Sequence, residues 1–141
     1  MKIYFAGAIR GGREETDIYN NIITYLSSKA EVLTEHVGSS ELTTIGETNR
    51  SDGEIFLRDM EWLQSADLII AEVTTPSLGV GYELGIAEKL NIPVLCLYRK
   101  TTGKRLSAMI SGNQKFKCQA YQTLDEAQMH INIFFKQELQ A

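Results

Sequence analysis

Apolar residues along this chain follow two alternating rhythms. Short apolar runs at Lys2–Ala6, Glu31–Thr34, Asp67–Glu72 and Ile92–Tyr98 have the length and the bounding charge of buried strands, and Phe116–Tyr121 gives a less marked fifth. Between them the apolar positions recur at helical spacing. Ile18, Ile22, Tyr25 and Leu26 predict a helix over about Glu14–Lys29. Ile55, Met60 and Leu63, with Trp62 beside them, predict another over Asp52–Ser65. Further helical stretches run from about Val80 to Leu90, about Leu106 to Ser111, and about Leu124 to Glu138, the last carrying Ala127, Ile131, Phe134 and Phe135. Strands alternating with helices predict an α/β fold: a three-layer, doubly wound parallel sheet of flavodoxin-like kind, with about five strands in the order 2-1-3-4-5. In that order the loops after strands one and three diverge over a crevice. They begin here at Gly7 and Thr74.

Composition narrows the setting. At 141 residues and 43% hydrophobic content, residues 1–141 fit one domain with a substantial core. A net charge of −4 gives no support for a nucleic-acid partner. Neither a membrane span nor a signal-peptide pattern is present, so the expected compartment is the cytosol or nucleus. Two cysteines are too few for a disulfide framework, and Cys96, inside an apolar run, reads as a buried thiol. His36 and His130 are far apart and no metal-ligand cluster is visible, so neither a metal nor a cofactor is expected.

Two stretches carry candidate chemistry. The loop Gly7-Ala8-Ile9-Arg10-Gly11-Gly12-Arg13 has glycines that let backbone amides approach an anion and arginines that can grip phosphate, although it is neither a Walker A sequence nor GxGxxG. It reads equally as a plain turn with solvated arginines. The stretch Ala71–Gly85 joins a strand, a glycine-bearing loop with Thr74, Thr75, Pro76, Ser77 and Gly79, and a helix start, an arrangement suited to anions because the first N–H groups of a helix are unpaired. Glu83 is expected in the first turn of that helix, where the dipole favours the ionised carboxylate. It is a nucleophile candidate or a first-turn acid that supports its helix. The polar stretch Gly38–Gly53 is long enough for an active-site lid. His36 reads as a ligand contact or as a satisfied surface histidine. Asp59 and Glu61 lie within the second helix, and Glu61 reads as a solvated face charge.

Several segments together resemble a known family. They are Tyr4 through Arg13, Val32 through Val37, Asp59 through Leu63 with Ala66-Asp67, Ala71 through Gly85, and Leu106 through Ile110. In order and spacing they look like the 2'-deoxynucleoside 5'-phosphate N-hydrolases, relatives of the nucleoside 2-deoxyribosyltransferases. The resemblance implies hydrolysis of a deoxynucleoside monophosphate to free base and 2-deoxyribose 5-phosphate. It implies Glu83 as nucleophile, Asp59 assisting departure of the base, and Tyr4 orienting Glu83. It implies phosphate binding by Gly7, Ala8, Ile9, Arg10, Gly11, Gly12 and Arg13 and by Ser77, with Gly79 beside them, and His36 near the base. Ser107 is implied to reach the phosphate from a second subunit, hence a homodimer, and Met109 is implied as a further substrate-binding residue. Ala8 departs from the family, which commonly has serine there. One hydroxyl contact to phosphate is then missing, and a hydrogen bond to a charged group contributes about 1.5–3 kcal/mol.

The residue types suit that chemistry. Cleaving an N-glycosidic bond builds positive charge on the sugar, which a carboxylate can stabilise or capture, while a second carboxyl can serve the departing base. Two other readings compete: a deoxyribosyltransferase, in which a second base replaces water, and a nucleotide-binding sensor without chemistry. Two arginines and Ser77 favour a phosphate-bearing substrate over the unphosphorylated nucleosides of the transferases. Tyr4, Asp59 and Glu83 occurring together argue against the sensor.

Overall fold

In the computed structural model the described residues are 1–9, 16–38, 49–100, 103 and 105–140. Strands β1 (Lys2–Ala6), β2 (Glu31–Val32), β3 (Leu68–Glu72), β4 (Val94–Arg99) and β5 (Phe116–Tyr121) form one parallel sheet in the order β2-β1-β3-β4-β5, as expected. Helices α1 (Thr16–Ser27), α2 (Asp52–Ser65), α3 (Leu78–Lys89), α4 (Ala108–Ser111) and α5 (Leu124–Leu139) flank it.

Strand periodicity sorts the core into two layers. Ile3, Phe5, Ile70, Leu95 and Leu97 face α1 and α5, where Tyr19, Ile22, Leu26, Ile131 and Phe134 close over them. Tyr4, Ala6, Ile69, Ala71, Val94 and Cys96 face the other way, against Leu63 of α2 and Val80, Leu84 and Ala87 of α3. A parallel sheet covered on both faces needs strands apolar on both sides, and β3 is buried at every position. Cys96 is fully buried and sits opposite Cys118 in the β4–β5 register, both as free thiols.

Three departures from the sequence pattern shape the site. The second strand is shorter than Glu31–Thr34. Leu33 N–H still bonds Ile3 C=O at 2.9 Å, but then the Thr34 hydroxyl takes over both backbone groups of Phe5. It accepts from Phe5 N–H at 2.8 Å and donates to Phe5 C=O at 2.7 Å. With those groups satisfied by a side chain, the backbone leaves the sheet in a 3-10 turn, Glu35–Gly38, which carries His36.

Secondly, β3 ends on a fully buried carboxylate. Glu72 accepts from Thr74 N–H at 2.8 Å, from the Thr74 hydroxyl at 3.0 Å and from the Tyr121 hydroxyl. The Thr74 oxygen in turn accepts Arg99 N–H at 2.9 Å. The loop that leads into α3 is thereby tied to the ends of β4 and β5.

Thirdly, α3 begins at Leu78, two residues before the expected Val80, because Ser77 caps it by accepting Val80 N–H at 3.3 Å. Helix α2 has the expected bounds, set by a reciprocal cap in which Ser51 and Glu54 each accept the other's N–H at 3.1 Å. The proposed lid falls largely on residues 39–48, outside the described residues.

Candidate active site

Tyr4 points from β1 toward the α2–α3 layer, and Glu83 points from α3 toward β1. They meet at the floor of a cavity of about 670 Å³, where the Tyr4 hydroxyl donates to Glu83 Oε2. That volume suits a small ligand such as a nucleotide. Asp59 reaches the same cavity from α2 and His36 from the 3-10 turn. Gly7 and Ile9 enter it from the loop after β1, and Ser77 and Gly79 from the loop and helix start after β3. The two glycine-bearing loops therefore face one crevice, as the strand order predicts.

The starting position of α3 corrects the expectation for Glu83. It is the sixth residue of the helix and lies in the second turn, beyond the part where the helix dipole is felt strongly. Burial instead raises its pKa from 4.5 to about 8. The Tyr4 hydroxyl bond favours the carboxylate and opposes that rise, but desolvation dominates. Glu83 is thus a proton-holding group near neutral pH in the empty site, not the ready carboxylate that the dipole argument implies.

Asp59 is held differently. Arg58, its chain neighbour, donates a hydrogen bond from Nε to Asp59 Oδ1 at 3.0 Å and forms an ion pair with the same oxygen through Nη2 at 2.9 Å. The Arg58 guanidinium lies 4.7 Å above the Trp62 ring and its Nη2 is 3.3 Å from His36 Nε2. A guanidinium only donates, so Nε2 accepts and the His36 proton sits on Nδ1. The His36 ring is also tilted against Trp62, with centroids 5.8 Å apart. Residue-type reasoning passed over Arg58, although an arginine one residue before an acid and four before a tryptophan is a visible signal. Phe56 and Tyr82 were missed as well; they line the cavity mouth with ring centroids 6.3 Å apart.

Other sequence candidates are placed as follows. Ala8 is fully buried and donates its N–H to the Tyr19 hydroxyl at 3.1 Å, so this amide is already engaged before any anion arrives. Gly7 is needed for packing: a Cβ there would lie 3.0 Å from the Tyr19 ring. Arg10, Gly11, Gly12 and Arg13 lie outside the described residues. Glu61 is exposed, as expected. Ser107 caps α4 by accepting Met109 N–H at 3.2 Å, and both residues are exposed and away from this chain's own cavity. Among the described residues no group of three or more His, Cys, Asp or Glu could hold a metal ion.

A buried carboxyl bonded to a tyrosine, a second carboxyl lining the same cavity and two convergent loops at the switch point of a parallel sheet define a small-molecule site equipped for acid–base or nucleophilic work. The nucleoside 2-deoxyribosyltransferase family model matches residues 3–132, and the chain belongs to that family. It is 55% identical over 114 residues to a 5-hydroxymethyl-dUMP N-hydrolase of Esox lucius, covering 79% of each chain. It is 51% identical over 138 residues to a putative 2'-deoxynucleoside 5'-phosphate N-hydrolase 1 of Nematostella vectensis, covering 94% of this chain and 93% of the other. A CMP N-glycosidase of Clostridium botulinum shares the fold with a TM-score of 0.67 at 15% identity, over 94% of this chain and 99% of that one. The resemblance carried by the sequence motifs is borne out.

Proposed function

We propose that the protein hydrolyses the N-glycosidic bond of 2'-deoxynucleoside 5'-monophosphates, releasing the free base and 2-deoxyribose 5-phosphate, with 5-hydroxymethyl-dUMP as the first substrate to try. The names of its relatives support the reaction and substrate class. The observation that carries the reading is the Tyr4–Glu83 pair, with Asp59 and the two loops lining the same cavity.

Glu83, once deprotonated, attacks C1' as the C1'–N bond breaks; the bond electrons pass to the base nitrogen, which takes a proton from water on the Asp59 side, and that proton is returned to solvent when water opens the ester. Water then attacks the deoxyribosyl ester, releases the sugar phosphate and restores the carboxylate. Positive charge developing at C1' favours the ionised Glu83 that burial alone disfavours. Tyr4 holds Oε2 and leaves the other oxygen to the sugar. The 5'-phosphate lies toward Gly7, Ile9 and Ser77, at the N-terminus of α3. Asp59 and His36 face the base.

The working unit in this reading is a homodimer, each chain lending Ser107 to the neighbour's phosphate, with Met109 beside it on the same segment. Supporting it, α3 shows solvent a stripe at helical spacing, Leu78, Gly81, Tyr82 and Gly85, with Leu78 97% and Tyr82 54% exposed. Phe56 and Leu57 of α2 are exposed as well.

Product analysis tests the reaction. With 5-hydroxymethyl-dUMP or dGMP, free base and 2-deoxyribose 5-phosphate should appear in equal amounts, and an added acceptor base should not divert the sugar. Comparable kcat/KM on the unphosphorylated nucleoside, or transfer to the acceptor, would favour the transferase instead.

A further inference from the structure

We propose that Arg58 is a positioning residue for this reaction, holding Asp59 and His36 in one fixed arrangement at the wall that faces the base. The inference rests on the N-hydrolase reading for its kinetic consequence, and on geometry alone for the arrangement itself.

The geometry is unlike that of an ordinary helix ion pair. Neighbouring helix residues point about 100° apart, so an i, i+1 pair gives the helix none of the support that i, i+4 pairs give. For Arg58 to reach Asp59, its side chain must fold back across the helix face, and Trp62, one turn on, supplies the platform. The charge is set over the ring at 4.7 Å, Nε and Nη2 converge on a single oxygen of Asp59, and Nη2 also reaches His36 Nε2. Both members of the ion pair are largely enclosed, with side-chain exposures of 17% and 20%. Core packing does not account for this, because Leu63 is the single fully buried side chain of α2.

Two consequences follow for the site. With Oδ1 engaged by the guanidinium, Asp59 has its other oxygen to offer a ligand. With Nε2 of His36 accepting from Arg58, that histidine keeps its proton on Nδ1. One guanidinium therefore sets both the aim of a carboxylate and the tautomer of an imidazole. Lysine could supply the charge but not the planar fork or the ring stack.

A double-mutant cycle with a spectroscopic companion tests this. Wild type, Arg58→Ala, Asp59→Asn and the double variant are assayed for base release from 5-hydroxymethyl-dUMP, with thermal melts to confirm folding. Arg58→Ala should lower kcat about 10–100-fold with little change in KM, the scale of loss when a reacting group is misplaced by about 1 Å. The double variant should lose less than the product of the two single losses, because part of what Arg58 does runs through Asp59 and the rest through His36. Free guanidinium ion, far below denaturing concentration, should restore part of the Arg58→Ala rate and less of the double variant's, with urea as control. Arg58→Lys should stay slow. Multiplicative losses, a loss confined to KM, or a fully active Arg58→Lys would overturn the proposal. Nitrogen NMR of the imidazole decides the arrangement without any turnover. The Nδ1-protonated tautomer of His36 should dominate in wild type and give way to the Nε2-protonated form in Arg58→Ala; an unchanged tautomer would overturn the positioning role. A wild type that cleaves no deoxynucleotide would sink the N-hydrolase reading while leaving the tautomer result to judge Arg58.

Discussion

Glu83 titrates on the cavity wall under a bond from Tyr4, and the sign of its effect on stability can be worked out. The unfolded carboxyl titrates near 4.5 and the folded one at about 8. Between those values the native chain keeps a proton that the unfolded chain has lost, so stability is full below the lower value and falls as pH rises toward the upper one. Glu83→Gln cannot lose that proton. Its melting temperature relative to wild type should therefore climb between pH 5 and 9, by an amount corresponding to about 2 kcal/mol once screening by cavity water is allowed for. Parallel melting curves across that range would remove the buried-carboxyl assignment. The same variant should lose at least about 10³-fold in kcat while still binding nucleotide, because the amide keeps the shape but cannot form the ester. For wild type, kcat/KM should rise with pH through a limb near 8, the ionisation of Glu83 in the free enzyme. Tyr4→Phe removes the one donor seen on that carboxyl, so its limb should move to higher pH and its kcat fall about 10–100-fold. A pH profile identical to wild type would show that the hydroxyl does not tune Glu83.

At the scale of elements, the hinge between β2 and the site is a single hydroxyl. Thr34→Val keeps the shape but leaves both Phe5 backbone groups without their partner, so unfolding free energy should drop by about 1–3 kcal/mol in denaturant titration. If the loss were under half that, water would be replacing the threonine and the short β2 would need another cause. This hinge also explains what the sequence did and did not disclose. Strand order, helix faces and the convergence of the two loops were readable because they follow from short apolar runs, a helical period of 3.6 and a topological rule. Thr34 fitted the strand pattern by residue type, and only its tertiary bonds to Phe5 end the strand. Glu83 was assigned to the first turn because Leu78 and Gly79 look like loop; the Ser77 cap moves the helix start and changes the electrostatic argument. Gly7 looked like a phosphate-loop glycine, and the approach of Tyr19 is the structural demand that can be seen. Glu83 was singled out by its place at a helix start after a glycine-bearing loop, and the roles of Asp59 and Tyr4 by motif resemblance, whereas the bond between Tyr4 and Glu83 spans 79 positions of chain and no local pattern encodes it.

At the scale of the whole molecule, the sheet order sets a limit on what one chain can bring to its own site. In the order β2-β1-β3-β4-β5, the segment after β4 emerges on the side of β3 away from β1, and the cavity lies between the loops that follow β1 and β3. Ser107 and Met109 sit on that far segment, Met109 with 81% of its surface exposed. If the site is shared, a symmetric dimer must carry them across, each chain giving to the other. Complementation between two disabled chains tests this directly. Glu83→Gln chains are mixed with chains in which Ser107 is replaced by glutamine or by tryptophan, and subunits are allowed to exchange. Losing the Ser107 cap costs α4 about 1 kcal/mol on either replacement, so Ser107→Ala serves as the control for helix loss alone. In a shared-site dimer the heterodimer holds one site with both defects and one with neither. Activity should reappear on mixing, up to about half the wild-type value per heterodimer. If each chain were self-sufficient, both sites of the heterodimer would keep one defect and mixing would restore nothing. Demonstrated exchange without recovery, or full activity from a chain that sediments as a monomer at assay concentration, would confine the site to one subunit and leave Ser107 as the cap of α4.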